Sequence, residues 1–578
     1  IDVFKPKAIL LQEKAGYALQ KTHDTVYLSA MASRLNQALQ ILEKRKVLID
    51  DAESINILIA DNTELIDFTK QIELELYEKS GQTAHLDRFI NLHESGLYNR
   101  IRSRLDKKRA IRFSNLPLNI QEEEQQLKAA ITTSLNRDKS NSELIQDYLT
   151  AVKNWETFLV KVKEQYPVYY TMRYASIFRS LPELQSTLPA NTTLVRYFFS
   201  GGRLVVLVAD SVSKKLVSLD NNNLESQIAG LLQQGYQEKP AAATLSSLYQ
   251  VLWAPLAPAV STKKVLIIPD GILFNFSFEL LTPTAIRTYS ELAGNSLLAK
   301  HEITYHYSLF MSGQQQAEDT LYQNYVAFAP GFSDELKKEY VESVNDSLKL
   351  DMQYLSLLPQ PNTGKLVKKF KSLLGGQTYL NRSSTPAEFR KSAGGHKIIH
   401  IGTHAEYNNI NPERSRLIFA KTPVVSADTN SLFLYDIYNC NVSSDLTLLT
   451  ACETGRPGYQ DGEGMVSLAH AFNYAGSRSI LTGLWKIDEQ SSSQITESFI
   501  RHLKEGLPSD EALRQAKLDY LSGNPERLLA PAYWSGLVLM GKPGSIQFDN
   551  PGLSPWWWVL AGACILAILL FLRRKFSR

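Results

Sequence analysis

Residues 446–455 read LTLLTACETG, and residues 397–407 read KIIHIGTHAEY. Each is an apolar run of strand length that stops on a reactive side chain, Cys452 in the first and His404 in the second. In a parallel α/β sheet the functional crevice lies beyond the carboxyl ends of the strands. If the two runs are neighbouring strands, both side chains emerge at one edge, outside the core.

Similar runs surround them. TTLVRYFF and RLVVLVAD flank Gly201-Gly202 as a hairpin, followed by KKVLIIPDG, NYVAFAPG, SRLIFA and SRSILTGLW. Helical spacing falls between these runs, at roughly 431–436, 463–475, 489–505 and 509–522. Strands alternating with helices predict a mainly parallel sheet covered on both faces over 186–546. Residues 1–185 differ, with Gly16, Gly81 and Gly96 their only glycines and long helical stretches such as IQEEEQQLKAAITTSL. Short polar breaks, KSGQT and RDKSNS, punctuate them. The pattern fits a degenerate, tetratricopeptide-like helical array or a plain bundle, since no clean repeat period is present.

With 578 residues the chain is long enough for two to four units. Its 62 Lys+Arg against 59 Asp+Glu leave a formal charge of only +3, which provides no field for nucleic acid. Protein or peptide partners are expected instead. The three cysteines, Cys440, Cys452 and Cys564, form no disulfide framework and no CxxC pair. After a linker at 547–555, residues 556–572, WWWVLAGACILAILLFL, carry no charge and run into the basic tail 573–578. A tryptophan collar at one end and RRK at the other predict a single transmembrane helix. The positive-inside rule then sets the tail in the cytoplasm and the long N-terminal portion, with the 186–546 domain, outside it, extracytoplasmic in the periplasm of a two-membrane host, with a cytoplasmic tail-anchored orientation as the alternative. The first residue is Ile1, and the outward orientation needs a targeting signal upstream of it.

A thiolate beside an imidazole is suited to attack on an acyl carbon, with backbone N–H groups receiving the oxyanion. The amides of Ala405 and Cys452 are the donors expected here. His404 precedes Cys452 by 48 residues, near the spacing of about 50 known for caspases, although the local Q-A-C motif is absent. The segments HIGTH, LLTACETG, DGEGMVSLAHAFNYAGSRSILTGLWKID and YWSGLVLMG resemble the CHAT domain, a caspase-like cysteine peptidase family of the clan that includes separase and gingipain, often joined to tetratricopeptide repeats. The resemblance extends from about 190 to 543 and takes in LVRYFFSGGRLVVLVAD and KKVLIIPDGILFNFSFELL. It implies a caspase-hemoglobinase fold, His404 and Cys452 as the dyad, and the upstream helices as a regulatory docking arm. CHAT domains commonly carry Gly directly after the His, where this chain has Ala405.

The resemblance to basic-specific members of the clan also implies an acidic residue in the pocket for the residue before the scissile bond. Asp461 is the first choice and Asp488 the second, with Trp485 as an apolar wall, so cleavage after Arg and then Lys is expected. Helix capping accounts for Glu463 and competes for Asp488. No metal site is expected, because His396, His400 and His404 recur along a strand and loop rather than a helix face. GRPGYQDGEG lacks the Lys-Ser/Thr of a phosphate loop and reads as a loop shaping the substrate cleft. No cofactor is expected. The sequence therefore predicts a membrane-anchored cysteine endopeptidase, the alternative being a catalytically silent scaffold, for which Ala405 is the main support.

Overall fold

The computed structural model describes residues 4–48, 58, 61–95, 117–134, 141–166, 180–233, 236, 238–309, 321, 323–344, 350–408, 414–421, 430–438, 440, 442–450, 458–460 and 464–549. Helices fill its first part: α1 (Lys5–Leu19), α2 (Thr25–Leu48), α3 (Thr63–Ser80), α4 (Thr83–Ser95), α5 (Leu118–Thr133) and α6 (Asn141–Gln165). Leu28, Met31, Leu35 and Ile72 close one helical core, and Trp155, Phe158 and Val162 centre another between α5 and α6.

Sixteen strands follow among the described residues. They are β1 (Thr192–Ser200), β2 (Arg203–Ala209), β3 (Lys214–Leu219), β4 (Lys264–Ile268), β5 (Glu302–Tyr305), β6 (Gln323–Ala329), β7 (Gln377–Leu380), β8 (His396–Ile401), β9 (His404–Glu406), β10 (Arg416–Ile418), β11 (Ser431–Phe433), β12 (Ser444–Leu449), β13 (Gly458–Gln460), β14 (Gly464–Val466), β15 (Ser477–Gly483) and β16 (Leu537–Gly541). Eleven of them form one sheet in the order β3-β2-β1-β4-β5-β16-β15-β12-β8-β6-β7. The helices that bear on the site are α7 (Pro361–Leu374), α8 (Leu468–Tyr474), α9 (Glu489–Lys504) and α10 (Ser509–Gly523).

The sheet is mixed. β1, β4, β5 and β16 run parallel to one another, as do β15, β12, β8, β6 and β7, but the two blocks meet at the antiparallel β15–β16 pair. Their carboxyl ends therefore lie on opposite edges of the sheet. Along β1, Val195 and Tyr197 enter the main core while Leu194 and Phe198 pack with Leu86, Phe89 and Ile90 of α4. The period-2 alternation of a strand thus gives one face to the domain and the other to the helical arm.

One expectation is corrected. No helix among the described residues is long and apolar enough to cross a membrane, and the segment 556–572 lies outside them. The described fold is a helical region followed by a mixed-sheet domain, and the expected closing transmembrane helix, with the membrane location and extracytoplasmic orientation that rested on it, finds no support among the described residues. The helix expected at 463–475 begins only at Leu468, because Gly464–Val466 pairs with Gly458–Gln460 as a short antiparallel hairpin. GRPGYQDGEG is thus partly a hairpin rather than wholly a loop.

Candidate active site

The runs that open the sequence analysis are parallel neighbours. In the β8–β12 ladder Leu449 stands beside Ile401, and Thr450 N–H donates to Ile401 O beyond it at 3.2 Å. Both runs are buried along their whole apolar length, as strands covered on two faces must be. His404 lies three residues past Ile401 and Cys452 three past Leu449, so the strand ends are in register at one edge. Cys452, Asp461 and Glu463 lie outside the described residues.

His404 is not in a simple loop. It opens β9, whose antiparallel partner β10 sets Ile418 beside it. Its Nε2 donates to Leu358 O at 2.7 Å, since a carbonyl can only accept, and a neutral ring then keeps Nδ1 as a free acceptor. The ring rests on Phe332, centroids 5.0 Å apart. Phe332 has φ +50, a conformation rare for a bulky residue, and follows a tight turn in which its N–H donates to Pro330 O at 2.8 Å. Burial holds the His404 pKa below the ordinary imidazole value; Lys486 and Lys337 act in the same direction, while the Leu358 carbonyl and Glu489 oppose them.

The neighbouring histidines have other partners. His400 is fully buried between Tyr325 OH, 2.8 Å from Nδ1, and Thr450 Oγ1, 3.0 Å from Nε2. His396 meets Gly394 O at 3.0 Å and Gln323 Oε1 at 2.8 Å. The three rings do not converge on a common point of coordination.

Residues 242–542 match the CHAT domain family. The chain belongs to the CHAT domain family. It is also similar to mouse tetratricopeptide repeat protein 28, at 25% identity over 116 residues, which is 20% of this chain and 4% of that protein. Among solved structures it is similar to the Saccharomyces cerevisiae separase–securin complex, with TM-score 0.41 and 10% identity over 93% of this chain and 47% of that one. The Arg-specific cysteine proteinase gingipain R is similar with TM-score 0.31 and 9% identity, over 56% of this chain and 75% of that one.

Within the CHAT domain, Ala405 sits in β9 opposite Leu417 and is not among the residues of positive φ. Alanine at this position therefore carries no left-handed backbone strain. Asp488 caps α9, accepting from Ser491 N–H at 2.9 Å and Ser491 Oγ at 3.0 Å. Trp485 donates from Nε1 to Ala532 O at 3.2 Å. Its ring covers Gly536, where a Cβ would approach to 2.6 Å. Capping and packing thus already engage two of the three residues expected in the pocket. Sequence reasoning missed Leu358, Phe332 and Gln360, which line the His404 side. Pro361 marks a helix start there, but no local pattern says that the carbonyl before it faces a histidine 46 positions away.

Proposed function

We propose that this chain is a cysteine endopeptidase that cleaves protein substrates through His404 and Cys452, with the helices of 1–185 as a docking arm. The observation that carries this reading is the register of β8 and β12, which end together on the edge where His404 is held by Leu358 O. In the proposed step the Cys452 thiol passes its proton to His404 Nδ1, and the thiolate forms a C–S bond to the scissile carbonyl carbon. Backbone N–H groups, among them that of Ala405, receive the oxyanion. The imidazolium protonates the leaving amine as the C–N bond breaks, and water then hydrolyses the thioester.

Cys452→Ala and His404→Ala should each abolish peptide cleavage while leaving the fold intact, and their losses should not add, because the two act as one unit. Iodoacetamide at neutral pH gives a second reading. Cys440 is half-buried, and burial pushes its thiol up to about 11, so fast alkylation lost in Cys452→Ala reports the reactive thiolate. Full cleavage by Cys452→Ala would refute the peptidase reading.

For the residue before the scissile bond, Asp461 carries the proposal of Arg over Lys. Glu406 pairs with Arg416 at 2.8 Å, Asp488 caps α9, and Glu489 is bonded to α7. A fluorogenic panel varied only at that position should show a preference for Arg that Asp461→Asn removes; a preference for Asp, or an unchanged preference in the variant, counts against it.

A further inference from the structure

Helices α7 and α9 point their amino ends at one carboxylate. Glu489, the first residue of α9, accepts from Thr363 N–H at 2.9 Å and Thr363 Oγ1 at 3.2 Å through Oε1, and from Asn362 Nδ2 at 3.4 Å through Oε2. Thr363 is in the first turn of α7, whose own N-cap residue, Gln360, makes no side-chain cap. Glu489 therefore caps α7 from another helix, and its charge faces the positive ends of both.

The consequence reaches His404 by two short routes. Gln360, one residue ahead of α7, donates from its backbone N–H to Gly331 O at 2.9 Å and from Nε2 to Thr403 O at 3.3 Å. Those contacts fix the residue before His404 and the turn that carries Phe332 under its ring. The Thr363 methyl packs against Gly402, where a Cβ would overlap it. Leu358, two residues before Gln360, provides the carbonyl that holds Nε2. α9 follows β15 on one side of β12, whereas α7 packs against β6 beyond β8. The Glu489 tie thus spans the edge at which β12 and β8 end together.

We infer that Glu489 is a positioning residue for His404, clamping α7 across the catalytic edge so that Leu358 O and Phe332 hold the imidazole in one orientation. This deepens the peptidase reading and rests on it. Glu489 also opposes Lys486 and Lys337 in setting the proton affinity of that ring.

The test uses the full chain with Glu489→Ala, Glu489→Gln, Thr363→Val and His404→Ala. Glutamine keeps one oxygen for Thr363 but loses the charge, and valine keeps the methyl on Gly402 but loses the hydroxyl. With the best fluorogenic peptide of the panel, Glu489→Ala should lower kcat by about tenfold to a hundredfold at nearly constant KM. Glu489→Gln should recover most of kcat but move the acid limb of kcat/KM to lower pH, because a negative charge near the imidazole has been removed. Thr363→Val should fall between wild type and Glu489→Ala. Titration of the His404 ring by 13C NMR, assigned with His404→Ala, gives the same downward shift without relying on turnover. Wild-type kcat and an unmoved His404 titration in Glu489→Ala would overturn the inference. Equal losses in the alanine and glutamine variants with no shift would reduce Glu489 to a structural cap and overturn it as well. Cleavage that survives His404→Ala would instead strike the peptidase reading, and the NMR shift would still judge the clamp.

Discussion

At the scale of single residues, the imidazole of His404 is tuned to be neutral. Half-burial and two lysines favour the uncharged ring, and a neutral ring can accept a proton from a thiol. The acid limb of kcat/KM should therefore lie below the ordinary imidazole value of 6.5. Lys486→Gln removes one of the charges that lower it and should move that limb to higher pH, by less in high salt because Lys486 is exposed. A limb that stays in place at low salt would show that Lys486 does not sense the ring. The ends of β8 and β12 were legible because each strand is an apolar run with polar residues after it, and the burial of those runs follows from their composition. The contacts that Asp488 and Trp485 make were legible too. Asp488 precedes a helix that begins Glu-Gln-Ser-Ser, a capping position, and Trp485 needs a residue without a side chain opposite it, which the YWSG segment supplies in Gly536. Leu358 and Glu489 were not legible, because their partners lie 46 and 126 positions away.

At the scale of elements, the sheet keeps several imidazoles dry. Burial drives the pKa of His400 on β8 down to about 3, that of His470 on α8 to about 3 and that of His306, just past β5, to about 4. Each has a folded value below its unfolded one, so between about 6.5 and these values the unfolded chain binds protons that the folded chain does not. Stability must then fall as pH drops below about 6.5, at up to roughly 1.4 kcal/mol per pH unit for each such ring. His400→Gln retains groups for Tyr325 and Thr450 but cannot take up a proton. The urea midpoint of this variant should decline less steeply between pH 6.5 and 4.5 than that of the wild type, with little difference at pH 7.5. An identical slope would mean that His400 is not held neutral by the fold. Strand periodicity revealed β8 as buried on both faces. The bonding of His400 to β6 and to the end of β12 depends on strand order, which the run HKIIHI does not encode.

At the scale of the whole molecule, one strand unites the sheet and a buried ion pair, with the exposed Arg203–Glu78 pair beside it, ties the helical arm to it. β16 inserts between β5 and β15 and so unites two oppositely directed blocks; the five residues LVLMG say only that they form a buried strand, not where it goes. Arg196 of β1 and Glu94 of α4 meet at 2.9 Å with almost no exposure, at a seam where Phe89 and Phe198 also touch edge to face. Glu94 accepts in addition from Leu309 N–H at 2.8 Å, and Arg196 donates to Pro269 O at 2.6 Å. A guanidinium this deeply buried cannot lose its partner cheaply: stranding one member of a buried pair costs about 3–5 kcal/mol. Removing both charges together with a matched apolar pair is far less damaging. Glu94→Ala should therefore loosen the arm from the sheet, with faster tryptic cleavage within residues 61–95 while the strands past β4 stay protected, whereas Glu94→Leu with Arg196→Met should restore much of the resistance. If the single variant resists trypsin as the wild type does, the Phe89–Phe198 core and the Arg203–Glu78 pair fasten the arm without the buried pair. If the double variant is as susceptible as the single one, the pair is required for docking in its own right, beyond the cost of leaving a charge unpaired.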